Sequence, residues 1–290
     1  LDAVNLMDAD IALVTSIGID HADWLGDTRE SVAFEKAGIF RAGKPALCGD
    51  LEPPQPLLDQ VALLDAPFFL RGRDYDLSIT AQDWSWYGLN HQGEVLSLAH
   101  LPLLDLPMEN AALALQAYAV MQLPWQPEAI SQALQQTRVT GRLDRRMLNW
   151  QGKSLTLLLD VGHNPHAAEY LAQRLASRAL SGKRLAVFGL LADKDLPGVV
   201  APLLSEVDSW AVAALPTSRT RAASELQSHL QHSGAQVTAY ASVQAALEAQ
   251  CEQASDGDEV LLFGSFYCVA EALDWLARQA NGGVQDGFAG

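Results

Sequence analysis

The chain predicts an α/β protein whose second half is a parallel, doubly wound sheet. Apolar runs at 155–161, 184–191, 209–215, 235–240 and 259–264 each precede a helical pattern, near 166–180, 196–207, 222–232, 242–254 and 267–280. Strands that alternate with helices of this length imply βαβ units. The first half has a different texture. An apolar run at 11–18 reads as a buried strand, and a second strand is expected at 44–49. A Pro-rich turn (Pro53, Pro54, Pro56) precedes a helical stretch near 57–65. Region 68–104 shows β-like runs carrying Trp84, Trp86 and Tyr87, with turn signals at Asn90 and Gly93. Helices follow at 108–122 and 127–137, the second opening on Pro127 at the favoured first position. The join between halves falls near Thr140–Arg145, and 282–290 reads as a frayed tail.

Length and composition bound the function. A chain of 290 residues, 49% hydrophobic and 19% charged, has ample core for one large or two ordinary domains. A net charge of −16 argues against non-specific nucleic-acid binding and against an anionic membrane surface. Any phosphate site must therefore be made locally, from helix N-termini, a few arginines or a metal. Cys48, Cys251 and Cys268 are far apart and form no CxxC pair, which disfavours a disulfide scaffold or zinc site and points to a reducing cytoplasm. No apolar run has the length of a membrane span. The chain opens on Leu1 rather than methionine, and Leu1–Asn5 reads as mid-domain sequence, so an upstream part is expected.

In open α/β sheets the carboxyl ends of strands carry the ligand chemistry. Asp20, His21 and Asp23 follow the strand at 11–18, and Glu35 and Lys36 lie soon after, in a helix that follows Arg29-Glu30-Ser31. This delivers a histidine, carboxylates and a lysine where a metal and an anion can sit, although a core histidine and a solvated helix lysine are the plainer readings. After the strand at 155–161 comes Asp160-Val161-Gly162-His163-Asn164-Pro165. Asn164 followed by Pro165 is the pattern of a helix N-cap with proline at the first position, a structural role. Asp160 and His163 sit where an aspartate can accept from a ribose hydroxyl and a histidine can meet an anion. Asn110 is either a helix cap or an adenine contact. Arg142 is either an exposed linker residue or a phosphate ligand. Asp193-Lys194-Asp195 is a charge cluster between strand and helix, and Ser265 either caps a helix or holds a carboxylate.

Asp20-His21-Ala22-Asp23-Trp24-Leu25-Gly26, Glu35-Lys36-Ala37-Gly38-Ile39, Asp160-Val161-Gly162-His163-Asn164-Pro165-His166-Ala167 and Gly264-Ser265-Phe266 occur in this order. Together they resemble the folylpolyglutamate synthases, of the Mur ligase superfamily of ATP-dependent amide ligases, over the whole chain except the tail. The resemblance implies the rear part of a P-loop-type ATPase domain at 1–142, a Rossmann-like glutamate ligase domain at 143–281, and a tail at 282–290. It implies His21 as a magnesium ligand. It makes Lys36 a catalytic lysine, carbamylated so that it helps position a second magnesium. Asn110, Arg142 and Asp160 match ATP contacts. Leu1, Asp2 and Ala3 match the end of a pteroate-binding segment. His163, as a catalytic residue, and Ser265 look like residues that face the incoming glutamate. Two Mg2+ ions and ATP as co-substrate are implied, with K+ or another monovalent cation as a further candidate, in a cytoplasmic monomer. The family's Gly-rich P-loop, and the serine and glutamate that complete its magnesium shell, are placed upstream of Leu1.

The implied reaction phosphorylates the carboxyl of dihydropteroate, or of a folate's terminal glutamate, and lets L-glutamate displace the phosphate. Metal charge and Arg142 would offset the crowded anions, which is how a strongly acidic protein can bind them. A hinge near Arg142 suits exclusion of water from the acyl phosphate. Two alternatives remain at this stage. One is a Mur-type ligase that joins an amino acid to a cell-wall precursor. The other is a nucleotide- or folate-binding module without catalysis, since without the P-loop the chain is expected to bind ATP poorly and turn over undetectably.

Overall fold

The expected strand at 11–18 is hydrogen-bonded into a sheet only over Ala12–Val14, the length over which a neighbouring strand accompanies it. Residues 3–18, 26–178 and 180–282 are described here, in a computed structural model. They divide into two compact units, residues 1–137 and 138–290.

In the first unit, β1 (Ala12–Val14), β2 (Ala46–Cys48) and β3 (Phe68–Leu70) form a parallel sheet. Helix α1 (Arg29–Ala37) starts at Thr28, whose hydroxyl accepts from the Ser31 N–H, and α2 (Gln55–Leu63) starts after Pro54. Val32, Ala33 and Ala37 of α1 and Leu57 and Val61 of α2 pack with Val14, Ala46 and Cys48 in one core. The aromatic stretch folds as an antiparallel meander of β4 (Tyr75–Ile79), β5 (Asp83–Leu89) and β6 (Val95–Pro102). Alternation along β5 turns Trp84 and Trp86 inward against α3 (Met108–Val120). Their indole N–H groups donate to the Pro102 and Ala112 carbonyls at 2.8 and 3.1 Å, so neither ring leaves a buried donor unpaired. Helix α4 (Pro127–Gln136) closes the unit's described elements.

The second unit is built on six strands in the order β11-β10-β9-β12-β8-β7. These are β7 (Asp144–Trp150), β8 (Lys153–Leu159), β9 (Arg184–Phe188), β10 (Ser209–Ala213), β11 (Val237–Tyr240) and β12 (Glu259–Phe263). All pairings are parallel except that of β7 with β8. β7 corrects the sequence reading, which places only a join there. Three of its first four residues are charged, and Leu148 alone is fully buried. As an edge strand paired on one side it has no apolar run to betray it.

Helices α5 (Pro165–Ala176), α6 (Leu196–Val200) and α7 (Ala223–His232) pack on one face of this sheet. Helices α8 (Val243–Gln253) and α9 (Phe266–Gly282) pack on the other. The helix expected over 196–207 stops early, because Pro202 removes a backbone donor and the chain continues as a 3-10 turn at Ala201–Leu203. Gly282, expected in the tail, is the last residue of α9, and 283–290 lie outside the described residues.

β12 lies between β9 and β8, so the chain leaves β8 toward one face and β12 toward the other. Diverging exits of this kind form the crevice in which open α/β sheets bind ligands.

All three cysteines are buried, and burial pushes the Cys48 thiol up to about 11 and those of Cys251 and Cys268 to about 12. At pH 8 the Cys48 thiolate is then about one part in a thousand, which is too little for attack on a disulfide reagent. The folded chain is therefore expected to leave all three unlabelled by Ellman's reagent at pH 8, with three equivalents released in denaturant. Release of one equivalent from the folded chain would contradict this placement.

Candidate active site

The best-defined cluster lies where β8 and β12 end. Asn164 is the N-cap of α5: its side chain accepts from the Ala167 N–H at 2.9 Å, and Pro165 follows at the first position. The structural reading of that pair therefore holds. Asp160, at the tip of β8, is 7% exposed. One carboxylate oxygen accepts from the Leu143 N–H at 2.9 Å and the other from the Gly162 N–H at 2.7 Å. Burial raises its pKa above the usual carboxylate value, offset only in part by the two N–H donors and the nearby Arg142 and His163.

His163 is half-buried, with Nδ1 2.8 Å from the Val161 carbonyl. A carbonyl only accepts, so Nδ1 carries the proton and Nε2 is the acceptor of the neutral ring. Its imidazole lies 6.2 Å, centroid to centroid, from the ring of Phe266 at the start of α9. Ser265 is buried, and its hydroxyl accepts from the Tyr267 N–H at 3.2 Å, so it does cap the helix. Its own hydroxyl proton can still be donated to a carboxylate. Gly264 permits a close approach of the end of β12 to the end of β9. Its φ is +102°, and a Cβ there would stand 2.5 Å from the Gly189 carbonyl oxygen. The fold thus brings His163 beside Phe266, the residue that follows Ser265, about a hundred residues on in the sequence.

Arg142 is exposed on the segment pinned to Asp160. Asp193-Lys194-Asp195 is tied into local structure. Asp195 caps α6 by accepting from the Gly198 N–H at 3.1 Å, and Asp193 pairs with Arg219 at 3.1 Å.

In the first unit, Lys36 sits half-buried in the last turn of α1. An ammonium group has no lone pair with which to ligate a divalent metal. A carbamate on Nζ would give the oxygen donors that Mg2+ prefers. His21, Leu1 and Asp2 lie outside the described residues, and Ala3 opens a short 3-10 turn, Ala3–Leu6. No group of three His, Cys, Asp or Glu side chains with metal-ligand spacing occurs among the described residues. Asn110 is not a cap: the N-cap of α3 is Pro107, and Asn110 lies exposed in the first turn.

Sequence reasoning missed Asp50 and Arg29. Asp50 accepts from the Ile17 N–H and from Arg29, both at 2.8 Å, while Arg29 Nε donates to the Ile17 carbonyl at 3.0 Å. Both backbone groups of Ile17 are thereby gripped at the exit of the first strand. An acidic residue just past β2 was the available signal, the same one that singled out Asp160.

Residues 141–266 match the Mur ligase glutamate ligase domain. Dihydrofolate synthase/folylpolyglutamate synthase of Escherichia coli is 38% identical over 283 residues, covering 98% of this chain and 64% of the relative. Residues 141–266 are thus similar to a Mur ligase domain, and the chain as a whole is similar to dihydrofolate synthase/folylpolyglutamate synthases. FolC of E. coli, solved in complex with DHPP and ADP, superposes with a TM-score of 0.85 at 38% identity, over 97% of this chain and 64% of that one. A bifunctional folylpolyglutamate synthase/dihydrofolate synthase with Mn, AMPPNP and L-glutamate bound gives 0.82 at 40% identity, over 96% and 64%. The chain therefore spans about two-thirds, 64%, of the length of these relatives. Among the described residues, no helix is long and apolar enough to cross a membrane.

Proposed function

We propose that this chain is part of an ATP-dependent ligase that adds L-glutamate to dihydropteroate, to the γ-carboxyl of folates, or to both. The observation that carries the reading is the approach of His163, after β8, to Phe266, the residue that follows Ser265 after β12, inside the segment that matches the glutamate ligase domain. A relative of the same fold holds L-glutamate, an ATP analogue and manganese, and another holds DHPP and ADP, which supports this set of substrates.

In this reading the γ-phosphoryl of ATP passes to the substrate carboxylate, giving an acyl phosphate and ADP. The glutamate amine attacks the acyl carbon, phosphate leaves, and one amine proton must be removed. His163 Nε2 is the group suited to accept it, because Nδ1 is committed to Val161. Ser265 donates its hydroxyl proton to a glutamate carboxylate, helped by the positive end of α9. Arg142, Asp160 and Asn110 serve ATP, and Leu1, Asp2 and Ala3 serve the pteroate. His21 and a carbamylated Lys36 would hold magnesium, whose chemistry is to neutralise phosphate charge. Residues 1–142 and 143–281 are taken as the ATPase-type and glutamate-ligase domains, in a cytoplasmic monomer.

The test is ADP-coupled addition of radiolabelled glutamate to dihydropteroate and to tetrahydrofolate, using the natural protein that carries this chain. His163→Ala is expected to lower kcat by about 10²–10⁴-fold. No glutamate incorporation into either acceptor would remove the proposal, and unmodified Lys36 by mass spectrometry of the metal-loaded protein would remove its carbamate.

A further inference from the structure

Phe266 is the first residue of α9, directly after Ser265, and it is 62% exposed. The helix anchors itself through other residues: Cys268, Val269, Ala272 and Trp275 are buried against the sheet. A phenyl ring left this far in water adds little to the core. It lies instead beside His163, whose imidazole is 6.2 Å away, centroid to centroid, at an interplanar angle of 52°. That separation and tilt fall in the range in which aromatic pairs attract.

The contact crosses from the turn after β8 to the turn after β12, two neighbouring parallel strands. It meets a geometric need. The Nδ1–H bond to the Val161 carbonyl fixes the imidazole at one atom and leaves the ring able to swing about that bond. A general base must keep its acceptor nitrogen within hydrogen-bond reach of the proton it takes, and a displacement of about 1 Å costs about a hundredfold in rate. A second ring set beside the imidazole limits the swing. Phe266 is itself held from behind, because it follows the helix cap Ser265 and the left-handed Gly264. Resting on the general-base role proposed above for His163, we infer that Phe266 is a positioning residue, whose ring holds the imidazole so that Nε2 faces the glutamate amine.

The inference is tested by a double-mutant cycle on kcat for glutamate addition, in the natural protein that carries this chain. Phe266→Ala is expected to lower kcat about three- to tenfold, the range set by loss of an aromatic pair. KM for ATP should be unchanged, and the melting temperature should stay within about 2 °C of the parent, as for an exposed position. Phe266→Tyr keeps the ring and should remain within about twofold of the parent. Residues that act through one another are non-additive, so with His163 already replaced by alanine, Phe266→Ala should change kcat by less than about twofold. An unchanged kcat in Phe266→Ala, an equal fall in Phe266→Tyr, or the same fall in the His163→Ala background would overturn the inference and leave the ligase reading standing. An unchanged kcat in His163→Ala would overturn the inference together with the base role on which it rests.

Discussion

Replacing Glu259 by alanine is expected to cost the second unit about 3–5 kcal/mol of stability, the range for breaking a buried ion pair from one side. Glu259 and Arg184 have side-chain exposures of 4% and 6% and meet at 2.8 Å at the amino ends of β12 and β9. Arg184 also donates to the Glu206 carbonyl at 3.0 Å, and the Glu206 carboxylate stands 3.6 Å away. Neither approach replaces the bond to Glu259, so the variant leaves a guanidinium in the sheet with one short charged partner missing. For a unit of this size the loss corresponds to a fall in melting temperature of roughly 6–20 °C. Scanning calorimetry reads it directly. Replacing both partners by apolar residues, Glu259→Leu with Arg184→Met, should recover most of the loss, because no charge is then stranded. A single variant that melts within a degree of the parent would mean the pair is solvated.

The second large effect is expected at Phe263→Ala. Phe263 lies at the end of β12 with its ring stacked on Phe188 at 4.7 Å and set edge-on to Trp210 at 5.9 Å. Phe188 and Trp210 themselves meet at 5.9 Å, so the three rings form a closed set on three adjacent strands. Truncation removes the ring's transfer free energy and leaves a cavity that two other rings cannot fill, at a cost of about 3–5 kcal/mol. Urea denaturation should show a lower midpoint with an unchanged slope. A cost under about 1 kcal/mol would imply that the rings repack. The damage would also reach the candidate site, since Gly264 and Ser265 follow directly and a Cβ at Gly264 would already press on the Phe188 ring at 2.7 Å.

What the sequence revealed follows from where each element sits. Strands β8, β9 and β12 are buried on both faces, and a short run such as Leu157-Leu158-Leu159 declares itself. β7 does not, because an edge strand with Arg145, Arg146 and Met147 exposed has no periodic signal to read. Proline inside a helical pattern shortened α6, an effect that a hydrophobic count overlooks. Asp160, His163 and Ser265 were legible because strand ends are where polar residues need a reason. Asn110 was misread as a possible cap because Pro107, three residues before it, gives no side-chain signal of a helix start. Arg184 and Glu259 were illegible for a different reason. They are 75 residues apart, and each looks like the ordinary polar border of a strand until the sheet order makes them neighbours.

Burial on both faces carries one more implication, for alignment. Leu155, Leu157 and Leu159 pack on one side of the sheet and Leu158 on the other, and both sides are equally oily. Sliding β12 by a single residue would exchange Leu261 for a neighbour of the same kind, with little change in apolar burial, so the core alone does not choose a register. The rims do. A slide of about 3.3 Å would part Glu259 from Arg184 at one end. At the other it would part the Asp160 N–H from the Leu262 carbonyl, now 2.9 Å apart. A handful of polar atoms at the two borders thus act as pegs, selecting one alignment among several that grease could not tell apart.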